Sequence, residues 1–491
     1  MNDRKPKDNG IHPASPSLPI GGAALRHPGF YLFALGLTIL VYALQSLPLF
    51  WDTVQLAGKH ASFYYFTDFA QWLLPPALDS GHPPTFGLYL AACWKLFGRS
   101  LPVSHWAMYP WLLLWLFGVW RVLRAWVPVQ WLPWSVLILL IDPVWLGQAA
   151  LVSPDIWVMV GFWWALAGMQ EGRAGWLVLA TVLLCLTSTR GMMLSAALYG
   201  VALLWRYRAG ERRLTLIWRT LLPFLPGAMA GVGFLIWHYT QAGWIGYHAD
   251  SPWAPSFERV GVEGLLKNSA VLGWRLVDYG RWVVFPLLGV GVVFFWKKES
   301  TAFRVRFAKW GSVLLVLLLF LAPTTLLYKG LSGHRYWLPM LQWLLVGALI
   351  VITHLKFSFL KKMVYSVLML SLLTGHLWVY PRAISQQWDA TLLHVAYARL
   401  RQQAFDHLDR RQIPYADVAT VFPEIGPRDL RELNGRPDGL VPFTEKRTPY
   451  IWYSNVMNDY PDAVLARFQR YPVEARWNSL GVELVLYRRP D

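Results

Sequence analysis

The sequence predicts a polytopic α-helical membrane protein carrying a small C-terminal α/β or α+β domain outside the bilayer. Of its 491 residues, 55% are hydrophobic and only 15% charged, where a soluble globular chain carries roughly 25% charged residues. Apolar runs such as FYLFALGLTILVYALQSLPLF, GSVLLVLLLFLAPTTLL and MVYSVLMLSLLTGHLWVY recur along most of the chain, and about 20 apolar residues cross a bilayer core. After residue 380 the character changes. Turn clusters (GPRD, NGRPDG) there separate a helical pattern at 391–411 from the β-like runs ADVATVF and GVELVLYRR, a mixture that predicts a compact domain of strands and helices.

Charge orders the spans. The net charge of +17 is concentrated in short connectors of the membrane half, whereas acids and bases nearly balance after residue 381. That placement follows the positive-inside rule, so anionic lipid and phosphate are the expected partners and nucleic acid is not. Residues 1–27, with Arg4, Lys5, Lys7 and Arg26, are expected in the cytoplasm, and the apolar run after them is too long for a cleavable signal. The other basic connectors are Arg121 with Arg124, Arg173, RYRAGERR (206–213), KKESTAFRVRFAK (297–309), and Lys356 with Lys361 and Lys362. If all face the cytoplasm, spans fall near 29–50, 103–120, 128–150, 155–170, 174–189, 191–206, 216–238, 281–296, 310–328, 336–355 and 363–380. This gives about eleven crossings with the C-terminus outside. Cys93 and Cys185, the only two cysteines, lie in apolar segments and suggest neither a disulfide framework nor a Cys-based metal site.

Residues 85–98, TFGLYLAACWKLFG, have no place in that count. The stretch is short, Lys95 interrupts it, and crossing there would invert every basic connector downstream. A run of about 10–14 apolar residues suits an interface or a protein core better than a span. An interfacial helix started by Pro83-Pro84 is therefore expected. The chain thus divides into a cytoplasmic tail (1–27), a membrane domain (28–380) with long outer loops at 51–102 and 239–280, and an outer domain (381–491).

Most of the unusual acids and arginines fall on the outer side. Asp52 ends the first span, either as a solvated terminus or as a carboxylate able to take a proton from a hydroxyl. Asp155 in SPD has the same two readings, and helix capping with Ser153 accounts for it locally. His82 stands between Gly81 and two prolines, with no second ligand at metal spacing, either as a structural histidine or as a hydrogen-bond donor to a phosphate or sugar. Asp68 and Asp79 share its loop. Arg190 in LTSTRGMM and Arg335 in GHRYWLP, beside His334, interrupt apolar surroundings. Snorkelling to headgroups is one explanation; gripping a phosphate with a planar two-donor fork is the other. Asp278 and Arg281 in DYGRW are spaced as a helical ion pair.

On these residues the chain resembles the polyprenyl-phosphate-sugar-dependent glycosyltransferases of the membrane-embedded GT-C class. That group holds the protein O-mannosyltransferases (glycosyltransferase family 39) and the lipid A aminoarabinose transferases. The matching pieces are Asp52, GHPPTFGLYLAACWKLFG, GQAALVSPDIW, STRG at 188–191 and GHRYWLP at 333–339. They cover residues 30–210 well, and 211–380 mainly by topology. The resemblance implies transfer of a sugar from a polyprenyl phosphate to an acceptor hydroxyl on the non-cytoplasmic face, with a bacterial inner membrane as the expected location, usually with inversion. Asp52 would be the general base and Asp155 would shape the site. Arg190 and Arg335 would hold the carrier phosphate, with Asp79, His82, His334, Asp278 and Arg281 as further substrate contacts. The acceptor could be a glycan, a lipid or a protein, with membrane lipids around the enzyme. The sequence departs from the family at Thr53, where a second acid is common, and at His82, where many members have Lys. No Asp-x-Asp pair is evident, so no obligatory metal is expected, although a divalent ion remains compatible. A flippase for a lipid-linked glycan, or a non-catalytic membrane scaffold presenting 381–491, are the competing readings.

Overall fold

The computed structural model describes residues 27–211, 214–249, 251, 253–382, 384, 386–444 and 448–490. The basic residues Arg4, Lys5, Lys7, Arg26, Arg212 and Arg213 of the topology argument lie outside them. The first helix, α1 (Pro28–Leu44), starts with proline in its first turn and His27 capping the Gly29 amide. After residue 53 the chain makes a π-helical stretch at Val54–Lys59 and continues into α2 (His60–Phe66). The PP-initiated segment is indeed a helix, α3 (Thr85–Phe97). Its Phe86, Leu90, Ala91 and Trp94 form one buried stripe, while Leu96 and Phe97 at its end are exposed.

The helical body continues through α4 (Leu101–Leu123), α5 (Leu132–Leu140), α6 (Pro143–Ala149), α7 (Asp155–Glu171), α8 (Ala174–Thr187) and α9 (Thr189–Arg208). It is completed by α10 (Thr215–Leu221), α11 (Leu225–Ala242), α12 (Val262–Val277), α13 (Val284–Trp296), α14 (Thr301–Leu327), α15 (Leu338–His354) and α16 (Ser358–Gly375). By length and composition, three helices among the described residues could each cross a membrane, or up to six if each sharply bent pair is one span. The straight spans expected at 128–150 and 216–238 are broken, by 70° between α5 and α6 and by 71° between α10 and α11. The span expected at 281–296 is the second limb of a 90° bend that begins with α12. Each break has a local cause. Asp142 caps α6 ahead of Pro143, Pro223 and Pro226 flank the start of α11, and Tyr279 and Gly280 take positive φ values of 51° and 84°.

Tryptophan and leucine fill the core between these helices, and some of the buried indoles are hydrogen-bonded. The buried Gln342 carbonyl accepts from the indoles of Trp163 (2.9 Å) and Trp115 (3.3 Å), while its amide donates to the Leu139 carbonyl. Such pairing removes most of the cost of burying an amide.

The C-terminal part has the mixed structure its pattern predicts. Helix α17 (Leu393–Arg410) precedes β1 (Val418–Thr420), β2 (Gly426–Pro427), α18 (Asp429–Glu432), β3 (Gly439–Pro442), β4 (Tyr450–Ser454), α19 (Asp462–Phe468), β5 (Val473–Ser479) and β6 (Val482–Arg488). The strands form one sheet in the order β2-β3-β1-β4-β6-β5. β1 runs parallel to both β3 and β4, and the other pairs are antiparallel. The core of this part also takes in Leu47, Phe50 and Leu151 from the helical body. Arg99 grips Asp429 with two hydrogen bonds of 2.7 Å. The two parts are thus seated against each other beside Asp52.

Candidate active site

The turn carrying Asp52 is held from three sides. Thr53 is buried, and its hydroxyl both donates to the Phe50 carbonyl (2.7 Å) and accepts from the Phe50 amide (2.9 Å). This gives Thr53 a structural role at the position where a second acid was looked for. Trp51 takes the left-handed conformation, φ 54°, which costs a non-glycine residue free energy unless its surroundings impose it. They do: its ring packs on Phe422 from the C-terminal part and on Phe50, which in turn contacts His394 and Tyr397.

Arg335 lies in a 3-10 turn (His334–Trp337) that leads into α15. Its guanidinium is the hub of the site. Nη2 donates to Asp52, Nη1 lies 3.6 Å from Asp155, and Nε lies 3.4 Å from Asp389. Arg190 approaches from the first turn of α9 and binds Asp155 at 2.6 Å. Ser188 caps that turn by accepting the Gly191 amide. Gly191 is needed because a Cβ there would come within 2.0 Å of the Leu184 carbonyl. Both guanidinium groups lie near the Tyr336 ring, Arg190 at 4.2 Å and Arg335 at 5.1 Å from its centroid.

These side chains face a cavity of about 830 Å3, including the solvent at its mouth, lined by Asp52, His82, Arg190, Arg335 and Tyr336 with apolar walls from Trp253 and Leu331. A second space of about 450 Å3 shares His82 and Arg190 and extends to Pro83, Pro84 and Asp155. His82 Nδ1 lies 3.2 Å from the Thr189 hydroxyl. Burial, with help from the nearby Arg190 charge, pushes the His82 pKa down to about 3. The ring is therefore neutral at ordinary pH and able to donate one hydrogen bond and accept another.

The structure brings Asp52, Asp155, His82, Arg190 and Arg335 together, and it places the remaining candidates outside that cluster. Asp79 lines neither space: one carboxylate oxygen accepts the Gly81 amide (2.8 Å) and the other meets His238 (2.9 Å), so the acid ties the His82 loop to α11. The expected Asp278–Arg281 pair does not form. Asp278 instead holds His334 (2.9 Å) and the Tyr380 hydroxyl, whereas Arg281, completely buried, pairs with Asp142 at 2.6 Å. The bend at Tyr279 and Gly280 carries the two side chains apart, because the i, i+3 argument holds only within a continuous helix. His334 is also fully buried and lines neither space. Asp68 pairs with Lys95 on the surface. Asp155, the first residue of α7, turns its two oxygens to the two arginines.

The residue that sequence reasoning missed is Asp389, which lies just past the expected domain boundary, in a short turn before α17. Gln148 donates to its backbone carbonyl (2.9 Å), and its Oδ1 is buried without a partner among the described residues. Burial, reinforced by Asp155, raises its pKa despite Arg335. Nothing local in QWDA pointed at Arg335.

Among the described residues there is no group of three or more His, Cys, Asp or Glu side chains that could hold a metal. No protein-family model matches the chain, and no curated protein matches it. A solved structure does: ArnT from Cupriavidus metallidurans bound to undecaprenyl phosphate, with a TM-score of 0.53, 15% identity, and coverage of 93% of this chain and 97% of that one. This chain has the ArnT fold. The apo form of ArnT aligns with a TM-score of 0.47 and 14% identity, covering 93% of this chain and 98% of that one. The likeness to ArnT runs through both the helical body and the C-terminal part, and it agrees with the GT-C resemblance read from the motifs.

Proposed function

We propose that the chain is an integral membrane glycosyltransferase that moves a sugar from a polyprenyl phosphate to an acceptor hydroxyl on the extracytoplasmic face, with inversion. The observation that carries this reading is the single cavity in which a carboxylate, Asp52, meets two arginines, Arg190 and Arg335. Undecaprenyl phosphate bound to ArnT supports a lipid-phosphate donor of the same class. In this reading the membrane domain spans residues 28–380 with about eleven crossings, several of them bent. Residues 381–491 form the outer domain, and the bacterial inner membrane is the expected location.

The chemistry follows from the charges. The acceptor hydroxyl attacks the anomeric carbon, its proton passes to Asp52, and the bond between sugar and phosphate oxygen breaks with the electron pair leaving on the phosphate. The leaving group departs as an anion and needs neutralisation more than protonation, which two preorganised guanidinium groups supply. Arg335 is engaged by Asp52. An arriving phosphate competes for that guanidinium and frees the carboxylate to act as a base. Asp155 and Asp389 keep Arg335 in place while Asp52 lets go. The sugar and the acceptor are left open by these features.

The test is Asp52→Asn. It keeps shape and hydrogen bonding but removes the base, and transfer from a radiolabelled polyprenyl-phosphate sugar is expected to fall by about 100-fold or more, the usual contribution of general-base catalysis. Undiminished transfer by a folded Asp52→Asn protein would refute the assignment.

A further inference from the structure

A second large space lies at the opposite end of three helices that build the candidate site. At one end, the start of α7, the end of α8 and the start of α9 supply Asp155, Ser188 and Arg190. At the other, the α7–α8 turn and the end of α9 open on a cleft of about 1380 Å3, including solvent at its mouth, completed by the α10–α11 break and by Lys309 of α14. Helix α9 has 20 residues, or about 30 Å at 1.5 Å per residue, which matches the hydrocarbon thickness of a bilayer. Arg190 and Arg206 are about 24 Å apart along α9, so the cleft and the Asp52 cavity lie towards opposite ends of one helix of membrane-spanning length.

The cleft joins apolar walls to a cationic rim. Leu177 and Phe224 are among its apolar lining, and Arg206, Arg219 and Lys309 bring positive charge to it. Arg206 donates to the Thr220 hydroxyl (3.1 Å) and lies 3.5 Å from Glu211, which is itself half exposed. Lys309 stands 4.1 Å from the centre of the Trp205 ring. Neither Lys309 nor the exposed Arg219 has a carboxylate within ion-pair distance among the described residues. Three cations thus face one solvated acid, beside a wall that would accept hydrocarbon.

We propose that this cleft binds an anionic membrane phospholipid, its phosphate held by Arg206, Arg219 and Lys309 and an acyl chain lying along the α8 wall. The fit to a lipid rather than a soluble anion comes from the apolar lining and from the depth of the cleft at the headgroup end of α9. A zwitterionic lipid would bring its own ammonium group to these cations, so the site favours a net negative headgroup. The inference is independent of the transferase reading and is measured without any transfer reaction.

The experiment uses native mass spectrometry of the full chain offered equal phosphatidylglycerol and phosphatidylcholine. Retention of phosphatidylglycerol over phosphatidylcholine is expected in the wild type. Arg219→Gln and Lys309→Gln are each expected to weaken it by about five-fold, the effect of one basic residue at an anionic membrane surface. Arg219 is exposed, so its variant keeps the test valid if Lys309→Gln fails to fold. Equal retention of the two lipids, or unchanged retention in Arg219→Gln, would overturn the proposal. Displacement of the lipid by added inorganic phosphate would also overturn it, assigning the cleft to the free ion.

Discussion

Replacing Arg335 by lysine separates geometry from charge in the candidate site. The guanidinium serves Asp52, Asp155 at 3.6 Å and Asp389 at 3.4 Å from three different nitrogens. A lysine ammonium conserves the charge but is a single point on a narrower stem, unable to meet three carboxylates arranged around a planar fork. At an effective dielectric of about 20, each contact at this range is worth on the order of 5 kcal/mol before desolvation. Of the three, only the contact to Asp52 is a hydrogen bond, and a hydrogen bond to a charged group retains about 1.5–3 kcal/mol net. If that much positioning is lost at the transition state, transfer falls by about 10- to 100-fold, at 1.36 kcal/mol per decade. The assay is initial-rate transfer from a radiolabelled polyprenyl-phosphate sugar in proteoliposomes, with Arg335→Met as the charge-free comparison. Arg335→Lys is expected to fall well below wild type, close to Arg335→Met. Near wild-type transfer by Arg335→Lys would refute the reasoning, because a bare positive charge would then suffice.

Further predictions follow from the same geometry. Burial raises the Asp389 pKa, so its favourable protonated state is fully available below the unfolded value and lost as pH rises through the folded one. Asp389→Asn, always neutral, is therefore expected to match wild type below the ordinary carboxylate value and to gain relative stability as pH rises through the raised folded value, read in thermal melts; a constant deficit at every pH would contradict this. Gly191→Ala puts a Cβ 2.0 Å from the Leu184 carbonyl and is expected to cost about 3 kcal/mol, at the upper end of overpacking penalties, with weakened donor binding as Arg190 shifts. Unchanged melting and donor affinity would rule out that packing role. For topology, Gln71→Cys in a Cys93→Ala background is expected to react with an impermeant thiol reagent from outside intact cells. Labelling only after lysis would reverse the orientation and the side on which Asp52 works.

Much of the site was legible because its motifs are local. SPD opens a helix and HPP starts another, and each carries its polar residue at a helix end where apolar packing stops. The structure has those helix starts at Asp155 and Thr85. Local pattern failed where the backbone bends. Asp278 and Arg281 looked paired only if one helix ran through both, and the positive φ at Tyr279 and Gly280 removes that premise. Hydropathy likewise registered 128–150 and 216–238 as single apolar runs, since a break at Pro143 or Pro223 changes direction without changing polarity.

The sequence alone determined the class of the molecule: its apolar content, the clustering of its basic residues in short connectors, the change of character at residue 381, and the polar residues worth following. These are properties of composition and short-range spacing, which a linear string contains in full. Only the tertiary structure decided which of those residues meet. Arg335 and Asp52 are 283 positions apart, and Asp389 comes from beyond the expected domain boundary to the far side of the same guanidinium. Such contacts arise from how bent helices pack and from the C-terminal part seating Trp51 in its left-handed turn. The free energy that fixes them is shared among residues from across the whole chain, so no single stretch of sequence encodes it.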